Sequence, residues 1–436
     1  MKANFRNSFA KRSLVIAATA LPSLYAGLAN AQAAAPAPAA APVAPAVPAP
    51  APAAAPPPAP VPPPAPAVVA PPAPETPPAP AAVPPPEPPP APADPDAEKY
   101  KHINMGVWMR VDAKLQNPNK PKKLNRLGST GELELHFSNQ MRKTVAWTAN
   151  FVGTYGPDSI DGSSSSGNGA SGADPKAGTI AILDLIAQFE PDPAFNFWVG
   201  RLLVPSDRSN FSGPYFMGPW NYPGLGGPQE GPSGRNDGAT VWGQFAGGTF
   251  KYYLGAFRLN SATQKPLISG RLNLSLLSPE PGFYNSSTYY GKDILAIGVG
   301  GQYSKNADTY AAASDGLADY GLFNADVLFE KDLKESGVVD VEGALYKYIG
   351  DGQSTKASYF ALASYLTPEL KDIGKFQPLV RVQQSFPKVG DSVTQLDAQV
   401  GYVVDGYSTR FALGFTHVSA TGAGSNAVFA GVQLQK

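Results

Sequence analysis

A strict alternation of apolar and polar residues, repeated from His102 onward, limits the folds that this chain can adopt. Its clearest copy is "NMGVWMRVDAKL", residues 104–115, in which Met105, Val107 and Met109 fall on one side of the alternation and the charged residues that follow fall on the other. An α-helix would spread these residues around its circumference, whereas successive side chains of a β-strand point to opposite faces. The alternation therefore predicts β-strands that each have one apolar and one polar face.

The alternating pattern predicts sixteen strands, separated by clusters of Gly, Pro, Asn, Asp or Ser. An even number of long strands, joined as successive hairpins, is what a closed antiparallel barrel requires. The sequence therefore predicts an all-β fold, a transmembrane antiparallel β-barrel, preceded by a disordered Pro/Ala-rich segment. The predicted strands cover residues 104–115, 130–139, 143–152, 179–190, 194–202, 238–246, 249–259, 266–277, 291–303, 317–331, 337–349, 356–366, 376–386, 394–404, 407–418 and 426–435.

The connections between these strands alternate between long and short. Several are tight, such as "PDPA" and "DGY", and they alternate with long ones at 116–129, 153–178, 203–237 and 304–316. Outer-membrane barrels show this alternation, with long loops outside the cell and short turns in the periplasm. The connection at 278–291 is long where a tight turn is expected, which leaves a slip of the strand register open there.

A soluble β-sandwich is the alternative fold for so many amphipathic strands. The barrel is favoured by an N-terminal export signal and by strands of about ten residues, rather than the usual five or six. Aromatic residues near strand ends also favour it, because a bilayer interface would hold them there. These aromatics are Tyr252, Tyr289, Tyr290, Tyr402 and Tyr407.

The N-terminal part divides into two segments before the barrel. Residues 1–31 have the pattern of a secretory signal peptide, with a positive start, an apolar core and a cleavage site at Ala29-Asn30-Ala31. Residues 32–98 are almost only Ala, Pro and Val, and they predict a disordered periplasmic linker of polyproline type. This linker is either a passive spacer or a segment that binds peptidoglycan. Residues 99–436 then form the barrel domain.

Composition excludes several classes of function. The chain has no cysteine, so it offers no disulfide and no thiolate metal or haem site. Its 34 Lys and Arg balance its 34 Asp and Glu, which gives no reason to expect nucleic acid as a partner. No phosphate-cradling glycine loop with a lysine occurs. The sequence therefore predicts no cofactor.

Four motifs resemble the phosphate-selective porin O and P family of sixteen-stranded outer-membrane porins. They are "FNFWVGRLLVPSDR" from Phe195, "YYLGAFRLN" from Tyr252, "GKFQPLVRV" from Gly374 and "QVGYVVDGYSTRFALGF" from Gln399. The resemblance covers most of 103–435 and implies passive uptake of small hydrophilic solutes and inorganic ions. It also implies a homotrimer among outer-membrane lipids of a Gram-negative cell, and a loop after the fifth strand that folds inward as a constriction. The ladder of inward arginines and the lysine cluster of the phosphate-selective members cannot be matched here.

Strand parity predicts which charged residues line the interior of the barrel. The inward cations are Arg110, Lys114, Arg271, Arg381 and Arg410, and the inward anions are Asp112, Glu132, Glu134, Asp326, Asp340, Glu342 and Asp397. Selectivity in wide pores comes from rings or clusters of one sign. Because both signs occur here, we expect a general or weakly selective porin.

The 203–237 segment is the predicted constriction. Its Pro and Gly residues shape the backbone, Phe211, Tyr215, Phe216, Trp220 and Tyr222 can pack against the inner wall, and Asp207, Arg208, Glu230 and Arg235 supply charge. A disordered external loop is the alternative. The 153–178 loop is rich in Ser and Gly and predicts a flexible, solvated segment. Its acidic residues do not have the spacing of an EF-hand calcium loop.

Arg201 leaves two orientations open. Counted in twos from Phe197, it falls on the apolar face, where it would extend towards lipid headgroups. A β-bulge at Gly200 would instead shift the parity and turn Arg201 into the lumen, at the base of the constriction loop. We expect the inward orientation, with Arg201 in the constriction.

The competing functions are an outer-membrane enzyme, a structural tether and a barrel that encloses a partner protein. Glu134, His136 and Ser138 would share the inward face of one strand, but residues two apart in a strand are separated by about 7 Å. We expect that distance to prevent direct hydrogen bonds, which makes these residues ordinary pore lining and the chain not an enzyme. The tether would join the outer membrane to the cell wall through the linker.

Overall fold

The computed structural model describes residues 100, 102–117, 126–155, 179–227, 234–259, 265–305, 319–350, 354–370, 373–421 and 423–436. The expected signal peptide at 1–31 and the Pro/Ala-rich linker at 32–98 lie outside the described residues. Glu230 and most of the 153–178 loop, with its acidic residues, also lie outside them.

The described residues form sixteen β-strands, which confirms the predicted strands with boundaries shifted by a few residues. No helix in the described part of the chain is long and apolar enough to cross a membrane. The strands are β1 Asn104–Asn117, β2 Arg126–Arg142, β3 Val145–Tyr155, β4 Thr179–Asp192, β5 Phe195–Leu203, β6 Arg235–Phe245, β7 Phe250–Phe257, β8 Leu267–Ser275, β9 Ile294–Ser304, β10 Tyr320–Asp332, β11 Val338–Ile349, β12 Thr355–Leu366, β13 Lys375–Pro387, β14 Val393–Asp405, β15 Thr409–Ala420 and β16 Ala423–Gln435.

Each strand pairs antiparallel with its neighbours in sequence, and β1 closes the sheet against β16. The closing pairs run in unbroken register from Trp108 opposite Gln435 to Asn117 opposite Asn426. Closure gives every strand two partners, so no edge is left with unpaired backbone groups. The predicted closed antiparallel barrel is confirmed.

The wall of the barrel is apolar outside and polar inside. Exposed apolar residues of the outer face include Leu133, Phe197, Leu254, Val327, Leu345 and Leu413. Buried polar residues of the inner face include Glu132, Asn196, Lys251, Asn324, Asp340 and Gln433. This distribution is the reverse of that in a soluble domain, and it fits a barrel surrounded by hydrocarbon.

Of the five aromatic residues expected at a bilayer interface, Tyr252 and Tyr402 occupy outer-face positions of β7 and β14, whereas Tyr289, Tyr290 and Tyr407 lie in connections between strands. Tyr402 does lie on the outer face and packs on Phe376, with ring centroids 5.2 Å apart. Tyr289 and Tyr407 point inward instead, and the expectation for them was wrong. The Tyr289 hydroxyl donates to Glu280 at 2.5 Å, and the Tyr407 hydroxyl donates to the carbonyl of Thr288. The acceptors belong to a chain segment inside the barrel, which strand parity does not show.

Candidate functional site: two segments inside the barrel

The described part of the loop between β5 and β6, residues 204–227 and 234, folds into the barrel. It contains a short helix, Arg208–Ser212, whose N-cap Asp207 accepts a hydrogen bond from the amide of Asn210 at 3.4 Å. Phe211, Tyr215 and Trp220 are each 1% exposed. The alternative of an external disordered loop is therefore excluded for the described part of this β5–β6 loop.

Arginines of the inner wall hold this loop by its backbone. Arg110 donates to the carbonyl of Trp220 at 2.5 Å, and its guanidinium lies 4.1 Å from the centre of the Trp220 ring. Arg381 donates to the carbonyl of Asn221 at 2.8 Å, and Arg271 to that of Ser206 at 2.7 Å. Arg410 donates to the carbonyls of Met217 and Pro214. These guanidinium groups therefore face the loop, whose carbonyls have no β-ladder partner, rather than open water.

The connection between β8 and β9, residues 276–293, also folds into the barrel. The register of β8 against β9 is continuous from Ile268 to Ser275, so the length of this connection reflects an inserted segment and not a slip of register. Antiparallel strands reverse direction at each connection, so the fifth and eighth connections of the barrel lie at opposite ends. This β8–β9 segment and the β5–β6 loop therefore enter from opposite sides.

Two charged residues of the inner wall hold the β8–β9 segment. The ammonium of Lys251 donates to the carbonyls of Gly282 at 3.1 Å and Tyr284 at 3.3 Å. The carboxylate of Glu330 accepts from the amides of Tyr289, Gly291 and Lys292, at 2.5, 2.7 and 2.7 Å. Lys251 thus donates hydrogen bonds to backbone carbonyls of the segment, and Glu330 accepts hydrogen bonds from its backbone amides. The wall therefore holds the segment through its backbone.

The two inward segments meet inside the barrel through a salt bridge. Arg208 of the β5–β6 loop donates to both carboxylate oxygens of Glu280 at 2.7 and 2.9 Å, and to the carbonyl of Ser286 at 2.7 Å. Burial alone would raise the pKa of Glu280, but attraction to Arg208 and its hydrogen bonds outweigh burial and lower that pKa. The pKa of Arg208 is raised by Glu280 despite burial. At neutral pH, Arg208 is therefore positively charged and Glu280 is negatively charged.

An aromatic contact accompanies the salt bridge. Phe283 of the β8–β9 segment stacks on Trp198 of the wall, with centroids 4.4 Å apart, and on Phe211 of the β5–β6 loop at 5.3 Å. Tyr253 meets Phe283 edge to face at 5.2 Å. Packed aromatic rings add attraction beyond their buried area. Both segments thus share one core inside the barrel.

Asp207 and Arg271 anchor the base of the β5–β6 loop. Asp207 accepts a hydrogen bond from the Tyr346 hydroxyl at 2.5 Å, and burial raises its pKa by more than this bond lowers it. Arg271 pairs with Asp326 of β10 at 2.6 and 2.9 Å. All four side chains are at most 4% exposed. They form part of a buried network that connects the loop to the wall.

A cavity of about 700 Å³ remains between strands β1 to β4 and the two inward segments. Its ionisable side chains largely lie in pairs. Arg235 lies 2.8 Å from Asp184, and His136 lies 2.8 Å from Glu134. The other polar and aromatic lining groups include Trp108, Ser138, Thr148, Asn150, Tyr215, Phe216, Tyr284, Asn285, Ser286, Tyr289 and Lys292.

The contact between His136 and Glu134 contradicts our expectation that they would be too far apart to interact. Their Cα atoms are two positions apart on β2, but both side chains are long enough to bend towards each other across that gap. His136 also lies against Trp108, with ring centroids 3.6 Å apart. Both residues line the cavity.

Of the expected site residues, the structure brings together Arg208 and Arg271 at the meeting point of the segments, while Arg235 lines the cavity. Arg110, Arg381 and Arg410 lie behind the β5–β6 loop. Lys114 is half-buried on β1, at a position that the strand alternation assigns to the inner face. Sequence reasoning missed Lys251, Glu280, Phe283 and Glu330, and the only signal was the unexpected length of the β8–β9 connection.

Arg201 lies on the outer face of the barrel, and the expected inward orientation was wrong. It pairs with Leu185 of β4 and Asp237 of β6 in unbroken register. Its guanidinium forms a salt bridge with Asp237 at 3.2 Å, and the Asp237 side chain is 59% exposed. Gly200 has a φ of 133° but adds no extra residue, and a Cβ there would lie 2.0 Å from the carbonyl oxygen of Leu185. This glycine therefore permits close backbone approach rather than a β-bulge.

This orientation predicts the effect of removing Arg201. We expect Arg201→Ala to leave the ion selectivity of the reconstituted barrel unchanged, because its charge lies outside the lumen. Arg235→Ala is the matched control, since it leaves the cavity carboxylate of Asp184 without its cation. That variant should shift the reversal potential in a salt gradient towards cation preference. A shift with Arg201→Ala of the same size would contradict the outward placement.

Comparison with known proteins gives a fold but no family. No protein-family model matches the sequence, and no curated protein matches it. The high-pH structure of OprB from Pseudomonas putida matches with a TM-score of 0.54 at 10% identity, over 78% of this chain and 95% of that chain. This likeness confirms the barrel fold.

Two further solved structures are similar at lower scores. A loop-deletion mutant of OmpT, an outer membrane protein of Vibrio cholerae, has a TM-score of 0.49 at 11% identity, over 77% of this chain and 99% of that chain. A mutant of Rh. blastica porin has a TM-score of 0.44 at 13% identity, over 77% and 100%.

Proposed function

We propose that this chain forms a water-filled channel in the outer membrane of a Gram-negative cell, through which small hydrophilic solutes and ions diffuse passively. The observation that carries the proposal is a closed barrel, apolar outside and polar inside, whose lumen is narrowed by chain held within it. The cavity beside β1 to β4 is the part of the lumen that we assign to the solute. In this role the Glu134 and His136 pair is pore lining and the chain is not an enzyme.

We propose weak ion selectivity rather than a strong phosphate preference. The resemblance to the phosphate-selective porin O and P family supports the architecture, but the arginines expected to attract anions donate to loop carbonyls. The cavity cation Arg235 is paired with Asp184. Anion selectivity in a wide pore needs uncompensated positive charge along the path. Because the charges along the path are paired, we expect both anions and cations to pass.

The remaining expectations complete this proposal. The 1–31 segment would direct export, and the 32–98 linker would extend into the periplasm, where it could bind peptidoglycan. The barrel would assemble as a homotrimer in outer-membrane lipid. Removing 32–98 while measuring conductance and envelope integrity separates a tether role from the channel role.

Reconstitution into planar bilayers tests the channel. We expect stepwise single-channel conductance and a reversal potential close to zero in a salt gradient, because lining charges of both signs compensate each other. Phosphate should be favoured over chloride only slightly. Liposome swelling with sugars of graded size gives the exclusion limit. Absence of conductance would overturn the channel, and a strong phosphate preference would overturn weak selectivity.

A further inference from the structure

The β8–β9 segment stands out because it is much longer than the fully described connections at its end of the barrel. Residues 143–144 and 193–194 close that same end with tight turns. The β8–β9 segment instead runs inward, and Glu280, Phe283 and Asn285 are at most 4% exposed. A barrel of this kind closes without such an insertion, so the segment serves something other than closure.

Inside the barrel, Glu280 carries the salt bridge between the two inward segments. Besides Arg208, it accepts hydrogen bonds from the hydroxyl of Ser275 at 2.7 Å and from the amide of Asn285 at 3.2 Å. Its backbone amide donates to the carbonyl of Gly248, in the turn between β6 and β7, at 3.2 Å. The wall and the segment itself therefore hold the Glu280 carboxylate in place, in addition to Arg208.

The same segment also borders the cavity. Tyr284, Ser286, Tyr289 and Lys292 line one side of it, while the β5–β6 loop lines another with Tyr215. A change in the position of either segment changes the cross-section between them and the wall. The width of the cavity thus depends on both segments together.

We propose that the β8–β9 segment is a second constriction element, which limits the size of solute from the end opposite to the β5–β6 loop. Glu280 is its positioning residue, and it holds the helix Arg208–Ser212 in place through the Arg208 guanidinium. The inference rests on the proposed channel function and goes beyond it, because it assigns the size limit to two elements.

The test compares Glu280→Gln with Asp293→Asn in planar bilayers. Glu280→Gln removes the charge that faces Arg208, so we expect the loop to shift and the conductance to rise by about twofold. Asp293→Asn is the matched control, since it removes another carboxylate of the same segment, whose partner Lys331 lies 2.5 Å away at a half-exposed site. Its conductance should equal that of wild type.

Exclusion of polyethylene glycols of graded size is the second readout. A wider passage admits larger polymers, whereas a barrel that is merely less stable keeps its exclusion limit. In a further variant, a two-residue Asn-Gly turn replaces 278–291, and heat-modified migration on gels checks that the barrel has formed. This variant should admit the largest polymers.

The outcomes separate the inference from the channel proposal. If wild type conducts, and both Glu280→Gln and the 278–291 replacement match it in conductance and exclusion limit, the β8–β9 segment is no constriction. If wild type is silent, passive diffusion is overturned. In that case, conductance of the 278–291 replacement would still support the inference, and a silent replacement would overturn it.

Discussion

Removing residues 209–226 of the β5–β6 loop, and joining the ends with a short Gly-Ser linker, is expected to raise single-channel conductance about threefold or more. This stretch reaches across the lumen: Trp220 is 1% exposed and packs towards Phe429 of β16, while Phe211 stacks on Phe283 of the β8–β9 segment. Without it, the guanidinium groups of Arg110 and Arg410 would face water. The exclusion limit for polyethylene glycols should rise in the same recordings.

The added arginine charge should also change selectivity. With the loop gone, exposed cations would line one side of the pore, so the reversal potential should shift towards anions. Shortening the exposed 388–392 connection is the matched control, because it lies at the same end of the barrel and outside the lumen. Equal conductance in the two variants would show that the β5–β6 loop does not limit flow.

The second large effect concerns the stability of the barrel. We expect Arg271→Met to lower the free energy of unfolding by about 3–5 kcal/mol, because it leaves the carboxylate of Asp326 buried without its partner. Arg271 is 2% exposed and Asp326 is 4% exposed, so little water reaches the unpaired charge. Urea unfolding in lipid vesicles, followed by intrinsic fluorescence, measures the loss.

A double variant separates the lost pair from lost packing. Arg271→Met with Asp326→Leu removes both charges and should recover most of the stability, because no unpaired charge remains. If the double variant unfolds as easily as the single one, the salt bridge is not what stabilises this part of the wall. The neighbouring Arg208 lies 4.0 Å from Asp326 and should be left unchanged in both proteins.

The strands were predictable because period-two alternation is tied directly to which face a side chain occupies. The prediction holds even around 278–291, where the length of the connection had suggested a slip of register. It failed at Arg201, where Gly200 was expected to host a bulge. A glycine with positive φ can serve either a bulge or a close approach of two backbones, and only the partner strand decides between them.

The contents of the barrel were far less predictable. The alternation of side chains along β15 placed Arg410 on the inner face, but it could not show which groups the guanidinium contacts there. Its partner carbonyl, that of Met217, is 193 residues away in sequence. Contacts between a loop and a distant wall depend on how the loop folds in three dimensions, and no short-range pattern records them. Glu280 escaped notice for the same reason.

The salt bridge between Arg208 and Glu280 has a further consequence for a cell in changing surroundings. Both side chains are at most 2% exposed, so mobile ions cannot approach closely enough to weaken their attraction. Ion pairs on a protein surface are weakened by high salt concentration and strengthened by low salt concentration. The buried Arg208–Glu280 pair should respond to neither change. The aperture that it holds should therefore keep its dimensions across habitats of very different salinity.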